Sequence, residues 1–257
     1  MTSSLKPSTL SVVIPAYNEE ENIKPTVIEI IKVLRKEQIP FEIIVVNDNS
    51  KDKTPEVVKS IQSENKEVIL VNRTPPGGFG RAIRTGLENF SGDIVVIVMA
   101  DLSDDPLDIV KYYRKIEEGY DCVYGSRFTQ NSIVRDYPTY KLIVNRIINK
   151  MIQLIFLTKH NDLTNAFKAY RSYVIKNIAP LHACHFNITI ELSLSALIRQ
   201  YKIATVPINW YGRKWGQSNL KLRAMGRRYL ATLIKIWFER LLILDDILAE
   251  KSITKEE

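Results

Sequence analysis

Cysteine and histidine are scarce in this 257-residue chain, which argues against a disulfide-stabilised protein and against a zinc-binding one. Cys122 and Cys184 are the only cysteines, so the chain has no disulfide framework and suits a reducing compartment. The histidines, His160, His182 and His185, lack the spacing of zinc ligands, and we expect them on the surface or in the core.

Long apolar runs are also absent. No uncharged apolar stretch reaches the roughly 18 residues of a membrane span, and the longest one near the end is interrupted by Lys235, Glu239 and Arg240. The first ten residues lack the charged and apolar regions of a secretory signal, so we expect a cytoplasmic protein. The remaining composition, 45% hydrophobic and 25% charged, is typical of a globular domain with a sizeable core.

Positive charge is in excess. The formal net charge of +7 favours an anionic partner, which could be phosphate, nucleic acid or an acidic membrane surface. The basic residues accompany amphipathic helical patterns at 140–157 and 229–248, without an aromatic platform or recognition motif, which argues against nucleic acid. Such helices suit a membrane interface. For the last helix, packing on the protein is an equal alternative, and for the others packing is favoured.

We expect a peripheral protein on the cytoplasmic membrane face, with a catalytic domain at 1–228 and an amphipathic helix and polar tail at 229–257.

Apolar, β-branched segments alternate with amphipathic helical segments along most of the chain. This order predicts right-handed crossovers and a Rossmann-like, mostly parallel central sheet flanked by helices. Asn18 with Glu21 predicts a capping box at the start of the first helix. The predicted strands are 10–14, 41–46, 68–71, 94–98, 122–124 and 204–208.

Three carboxylates follow the most apolar strand. Ligands of open α/β sheets bind outside the carboxyl ends of the strands, so these acids face a site rather than a core. Asp105, followed by Pro106, is explained as a helix N-cap. Asp101 begins no helix, and we identify it as the first functional residue, with Asp104 beside it. Carboxylates here suit a hard divalent cation such as Mg²⁺ or Mn²⁺, which could hold a diphosphate.

Six short blocks follow one another along the chain. They are VIPAYNE at 13–19, VVNDNS at 45–50, GFGRA at 78–82, ADLS at 100–103, NDLTNAF at 161–167 and RKWGQS at 213–218. In this order they resemble the family 2 glycosyltransferases of GT-A fold, and within them the polyprenyl-phosphate hexose synthases such as the dolichol-phosphate mannose synthases. The resemblance runs from about residue 10 to 229. It implies transfer of mannose or glucose from a nucleotide diphosphate sugar, GDP-mannose or UDP-glucose, to a polyprenyl or dolichyl phosphate.

The resemblance also implies roles for individual residues. The nucleotide sugar would contact Pro15, Tyr17, Glu19, Asp48, Gly80, Arg81, Asp101 and Ser103, and the cation would bind at Asp101 and Ser103. The glycines near residue 78 would allow a close backbone approach. Guanidinium groups read phosphate bidentately, so the acceptor phosphate is expected at Arg127, Arg146 and Ser218. The catalytic residues would be Asp101, Arg127 and Arg213.

Two departures from the family pattern affect these expectations. Met99 stands where the first acid of the metal-binding DxD motif would be, which leaves the metal dependence open. Asn47 begins the second acidic loop, so Asp48 must supply any carboxylate needed there.

Two other functions remain open from the sequence. One is a glycosyltransferase that acts on a hydroxyl of a soluble sugar, glycan or protein, with Asp104 or Asp162 as the catalytic base. The other, prompted by Met99, is a nucleotide-binding, membrane-docking module without catalysis. Retention of Asp101, Asp104 and Asp105 argues against this module. The nucleotide, the hexose, the acceptor lipid and the oligomeric state are left open.

Overall fold

A computed structural model describes residues 7–212, 215 and 222–253. The strands are β1 (Leu10–Ala16), β2 (Phe41–Asn47), β3 (Val68–Asn72), β4 (Ile94–Ile97), β5 (Cys122–Ser126), β6 (Ile133–Arg135), β7 (Lys168–Arg171), β8 (Ile203–Pro207) and β9 (Asn209–Tyr211). The helices are α1 (Ile23–Lys36), α2 (Thr54–Glu64), α3 (Phe79–Asn89), α4 (Pro106–Glu117), α5 (Thr139–Phe156), α6 (Ser172–Ile178), α7 (Ile188–Ile198) and α8 (Leu222–Ile253).

The main sheet has seven strands in the order β3-β2-β1-β4-β7-β5-β8. All neighbours in it are parallel except β7, which pairs antiparallel with both β4 and β5. The predicted mostly parallel α/β architecture is therefore confirmed. Strand β7 was missed because its four residues begin with a lysine, and a charged residue in so short a segment gives no strand signal.

The central strands of the sheet are buried on both faces, as the uninterrupted apolar runs of β1, β2 and β4 predict. Alternate side chains of β1 enter different cores: Val12 and Ile14 pack with α1 and α4, and Val13 packs with α3 and α7. Helix α7 is buried around nearly its whole circumference. That burial agrees with its lack of an amphipathic pattern.

The helix starts agree only partly with the sequence. Asp105 caps α4, because its carboxylate accepts a hydrogen bond from the backbone N–H of Leu107 at 2.9 Å. The capping box predicted for Asn18 is wrong, since α1 begins at Ile23. Asn18 instead adopts a left-handed conformation and accepts a 2.8 Å hydrogen bond from the backbone of Lys51, which joins the β1 and β2 loops.

Two smaller features complete the described part of the chain. Strands β6 and β9 form a separate parallel pair, and a bridge between Asp104 and Trp210 connects it to the loop after β4. Helix α8 is continuous from Leu222 to Ile253, so the boundary predicted between residues 228 and 229 falls inside a helix; the division into two units stays a prediction. None of the helices in the described ranges has the length and apolarity needed to span a bilayer.

Candidate active site

A cleft of about 910 Å³ opens at the carboxyl ends of the central strands. Strands β1, β2, β4 and β5 are each followed by a residue that lines it: Tyr17, Asp48, Asp101 and Arg127 respectively. In the sequence, the first and last of these residues, Tyr17 and Arg127, are more than a hundred positions apart. The parallel sheet brings them to one edge, which is where ligands of open α/β sheets bind.

Most of the predicted site residues meet in this cleft. Those that line it are Pro15, Tyr17, Glu19, Asp48, Asp101, Ser103 and Arg127. Gly80, Arg81 and Arg146 are not among its lining residues. Arg213 and Ser218 lie outside the described residues. The roles assigned to all of these residues remain predictions.

The turn at residues 99–104, called here the acidic turn, places two carboxylates at the cleft. Asp101 is buried and accepts a hydrogen bond from the backbone N–H of Ser103 at 3.2 Å. Leu102 between them has a positive φ of 55°, which folds the chain sharply. Asp104 is also buried and accepts from the backbone N–H of Met99 at 3.1 Å. Burial, reinforced by the nearby charge of Asp101, raises the pKa of Asp104 to about 7.

The donor atoms of the acidic turn bear on metal binding. Within the described residues, no cluster of three or more acidic, histidine or cysteine side chains could hold a metal ion by itself. Magnesium in nucleotide sites, however, is commonly bound by one or two carboxylates together with substrate phosphates and water. Asp101 fits that type of donor set, and Ser103 lies beside it.

Asp48 connects the end of β2 to the glycine-rich start of α3. One of its oxygens accepts from the backbone N–H of Gly78 at 2.6 Å, and the other pairs with Arg73 Nη1 at 2.5 Å. Both charged side chains are nearly buried. Arg73 was not predicted as a site residue, because in sequence it is one arginine in a loop. The fold links Arg73 to the site through its ion pair with Asp48, which lies 25 residues away in the sequence.

Two glycines at the start of α3 lie against another segment of the chain, and the close approach of a nucleotide to them stays a prediction. A Cβ atom on Gly78, whose φ is +154°, would lie 2.4 Å from the carbonyl oxygen of Cys184. A Cβ atom on Gly80 would lie 2.5 Å from the carbonyl oxygen of Ala183. Glycine at these two positions therefore lets the start of α3 pack against the backbone of the segment before α7. The next residue of that segment, His185, lines the cleft without having been predicted.

Arg127 is held rigidly at the cleft by Asp162. Its Nε and Nη2 donate to the two carboxylate oxygens at 2.8 and 2.7 Å, and its backbone N–H donates to the same carboxylate at 3.0 Å. Burial alone would lower the pKa of Arg127, but the adjacent Asp162 carboxylate outweighs it and the pKa is raised. Arg127 is thus a fixed cation. Asp162, considered from the sequence as a catalytic base, is instead engaged in this buried pair.

Helix α5 contributes a second cation to the cleft. Lys141 and Asn145, one helical turn apart, line it, whereas Arg146 is exposed and lies over the ring of Phe128 at 4.8 Å. Asn149, a turn further on, accepts from the backbone N–H of Leu163 at 2.7 Å and so ties α5 to the loop of residues 161–167. Lys141 was not predicted as a site residue, because a lysine in an amphipathic helix is most often part of its solvated face.

A buried lysine supports the same loop from behind. Lys168 is 1% exposed and donates to the carbonyl oxygens of Leu163, at 2.8 Å, and of Asn165. Burial lowers its pKa to about 7. Because Asn165 itself lines the cleft, Lys168 fixes part of the wall without reaching the cavity.

Comparisons with known proteins identify relatives of this chain. A family model described as Glycosyl transferase family 2 matches residues 11–179. The dolichol-phosphate mannosyltransferase of Pyrococcus furiosus is 31% identical over 214 residues, which cover 82% of this chain and 59% of that protein. An uncharacterized glycosyltransferase of Synechocystis sp. is 39% identical over 118 residues, or 46% of this chain and 37% of that protein. The chain therefore spans less than two thirds of the length of these relatives.

Solved structures share the fold. The glucosyl-3-phosphoglycerate synthase of Mycobacterium tuberculosis, in complex with Mn²⁺, UDP-glucose and phosphoglyceric acid, matches with a TM-score of 0.67 and 24% identity. The match covers 90% of this chain and 80% of that one. At this identity the likeness concerns the fold, and it confirms the GT-A architecture expected from the sequence blocks.

Proposed function

The chain belongs to glycosyl transferase family 2, and we propose that it transfers a hexose from a nucleotide diphosphate sugar to a polyprenyl phosphate at a membrane surface. The dolichol-phosphate mannosyltransferase relative supports this acceptor class. The observation that carries the proposal is helix α5, which lines the cleft with one face and presents apolar side chains to solvent with another.

The exposed face of α5 forms an apolar stripe. Its side chains recur at helical spacing, and each is more than half exposed: Tyr140, Ile143, Ile147, Met151 and Leu154. Exposed apolar patches of this kind mark interaction surfaces for protein or membrane. A polyprenyl phosphate needs such a surface for its hydrocarbon and a cation for its head group. On α5, Lys141 in the cleft directly follows Tyr140 of the stripe.

The other half of the cleft suits the sugar donor. Tyr17, Glu19 and Asp48 lie at the ends of β1 and β2, where the nucleoside would bind, and Asp101 lies beside the expected position of the diphosphate. A divalent cation, Mg²⁺ or Mn²⁺, would be held by Asp101 with Ser103 nearby. When bound, such a cation would neutralise the charge that develops on the departing diphosphate.

The chain's own residues would then place the two reactants. The oxygen of a phosphate monoester is already anionic near neutral pH, so the reaction needs no strong general base. Arg127, which is fixed by Asp162, and Lys141 would orient that phosphate toward the sugar carbon that leaves the diphosphate. Burial of the acidic turn limits the access of water, which would otherwise compete as the acceptor.

One observation favours a second candidate, transfer to a hydroxyl group. Asp104 lines the cleft, and burial raises its pKa to about 7. A pKa near the working pH is what a general base for a hydroxyl acceptor requires. A lipid phosphate acceptor has no need of such a base.

A direct assay separates the two candidates. The protein would be incubated with GDP-mannose or UDP-glucose, radiolabelled in the sugar, and with polyprenyl phosphate in detergent. Parallel reactions would contain phosphoglyceric acid or free sugars instead of lipid. We expect label in the organic phase only with polyprenyl phosphate, and the nucleotide that supports it identifies the donor. Label found only in products of the hydroxyl acceptors would refute the lipid acceptor.

The membrane part of the proposal is tested by flotation with anionic liposomes. We expect binding at low salt that weakens as the salt concentration rises, because exposed charges are screened over about 8–10 Å at physiological ionic strength. Ile147→Glu should reduce flotation more than Lys150→Gln, although both lower the net charge by one, since only the first lies in the apolar stripe. Equal effects would show that charge alone drives binding and would refute insertion of the stripe.

A further inference from the structure

A buried carboxylate behind the donor half of the cleft joins helices α7 and α8 to the segment of residues 181–186. Glu191 of α7 has a side chain that is only 2% exposed. It accepts hydrogen bonds from the backbone N–H groups of His182, at 3.0 Å, and Ala183, at 2.7 Å. Lys235 of α8 donates to it at 2.8 Å and also contacts the ring Nδ1 of His182 at 2.9 Å.

The 181–186 segment in turn packs on the start of α3. The carbonyl oxygen of Cys184 accepts from the backbone N–H of Gly80 at 3.1 Å, and Arg84 Nη1 donates to the carbonyl oxygen of Leu181 at 2.9 Å. Phe186 stacks on Phe79 with a ring separation of 4.3 Å. The space between the segment and the glycines cannot accept even one methyl group without movement. A shift of the segment must therefore shift the start of α3.

The start of α3 is part of the donor site. The backbone N–H of Gly78 donates to Asp48 at 2.6 Å, and both residues line the cleft together with His185 and Phe186. A continuous set of contacts therefore runs from Lys235 through Glu191 and the 181–186 segment to Asp48.

We propose that Glu191, held by Lys235, is a positioning residue for nucleotide-sugar binding, an inference that rests on the proposed function. Packing of α7 alone does not need a charge at this position, because almost every other residue of the helix is buried without one. A buried carboxylate is costly unless it is paired and hydrogen-bonded, and Glu191 accepts hydrogen bonds from the segment and from Lys235. The carboxylate therefore holds the segment that carries His185 and Phe186.

The chain offers a matched control. Arg199, the residue that follows α7, pairs with Glu239 of α8 at 2.9 Å, so this pair also joins the two helices. Within the described part of the chain, Arg199 and Glu239 hydrogen-bond to each other and Arg199 to Ser195, and neither bonds to the 182–184 backbone or to α3. Lys235→Gln and Arg199→Gln each remove one positive charge from the contact between α7 and α8. Only the first should disturb the donor site.

The experiment measures binding and kinetics for both variants. Lys235→Gln should raise the KM for the nucleotide sugar about three- to tenfold and leave the KM for polyprenyl phosphate unchanged. This is the change expected for loss of an ordinary hydrogen bond, because Lys235 is partly exposed and its pair is screened by water. Lys235→Arg, which keeps the charge, should recover most of the loss, and Arg199→Gln should behave as the wild type. Lys235→Gln should have no further effect in a Glu191→Gln background.

Hydrogen exchange gives a readout that does not depend on the reaction. In Lys235→Gln, exchange should accelerate at the amides of 182–184 and 78–81 and stay unchanged in α1 and α2. Unchanged exchange there, or an equal effect of Arg199→Gln, would overturn the inference. Calorimetric titration with GDP and UDP, without acceptor, separates this failure from failure of the proposed function. If the wild type binds neither nucleotide, both the proposed function and the positioning role are refuted. If the wild type and Lys235→Gln bind a nucleotide equally well, only the positioning role is refuted.

Discussion

Replacement of Asp104 by asparagine should stabilise the protein at alkaline pH, because this carboxylate is buried at the cleft at a cost to folding. Its pKa is raised to about 7 by burial first and then by the charge of Asp101. In the unfolded chain the same group titrates near 3.8. Between these values the folded protein holds a proton that the unfolded chain has released. Wild-type stability therefore falls as the pH rises through this window.

The size of the effect follows from the two pKa values. A difference between 3.8 and about 7 corresponds to about 4 kcal/mol of stability, lost completely only above pH 7. Of this, about 3 kcal/mol would be lost between pH 5 and pH 8. Asp104→Asn keeps an oxygen that can accept a hydrogen bond from the backbone N–H of Met99, but its side chain cannot ionise. The variant should therefore lose none of this stability as the pH rises. The advantage of the variant should accordingly grow by about 3 kcal/mol over this interval.

Urea denaturation at pH 5 and pH 8, with EDTA present so that no cation shifts the titration, measures this difference. Asp105→Asn is the control: asparagine caps a helix about as well as aspartate, so this variant should change stability by less than about 1 kcal/mol, and by the same amount at both pH values. If the advantage of Asp104→Asn is the same at pH 5 and pH 8, the carboxylate titrates normally. The reasoning from burial would then be refuted, and with it the case for Asp104 as a base.

Three other variants test the cleft. Asp101→Ala should abolish transfer at saturating Mg²⁺ or Mn²⁺ while costing at most about 2 kcal/mol in urea denaturation; full activity would contradict the assignment of this residue. Lys141→Ala should raise the KM for polyprenyl phosphate about tenfold through loss of one charged hydrogen bond, and Arg146→Ala, outside the cleft lining, should have a smaller effect. An unchanged KM in Lys141→Ala would exclude Lys141 as a phosphate ligand. Arg127→Ala should lower the free energy of unfolding by about 3–5 kcal/mol, because Asp162 is left buried without its ion-pair partner. Adding Asp162→Asn should recover part of this stability. A loss of stability below about 1 kcal/mol in Arg127→Ala would show that the pair is hydrated.

Features that depend on a local pattern could be predicted from the amino-acid sequence. Uninterrupted β-branched runs specified the strands that carry Val13 and Val96, because a strand buried on both faces has no polar side. The order Asp105-Pro106 specified the start of α4, since a cap and a proline act on their own turn of helix. Alternation of strands with helices then placed Asp48 and Asp101 at one edge, as the carboxyl ends of parallel strands require.

The pairing of the charged residues of the site could not be predicted from the sequence and is visible only in the folded chain. Arg127 looked like a free phosphate ligand until the fold brought Asp162, 35 residues away, against it. In the same way the glycine before α3 meets Cys184, and the antiparallel strand β7 is inserted between β4 and β5. Such pairings depend on the order of strands in the sheet and on the packing of distant segments. No local periodicity encodes them, because neither partner alters the pattern of its own neighbourhood.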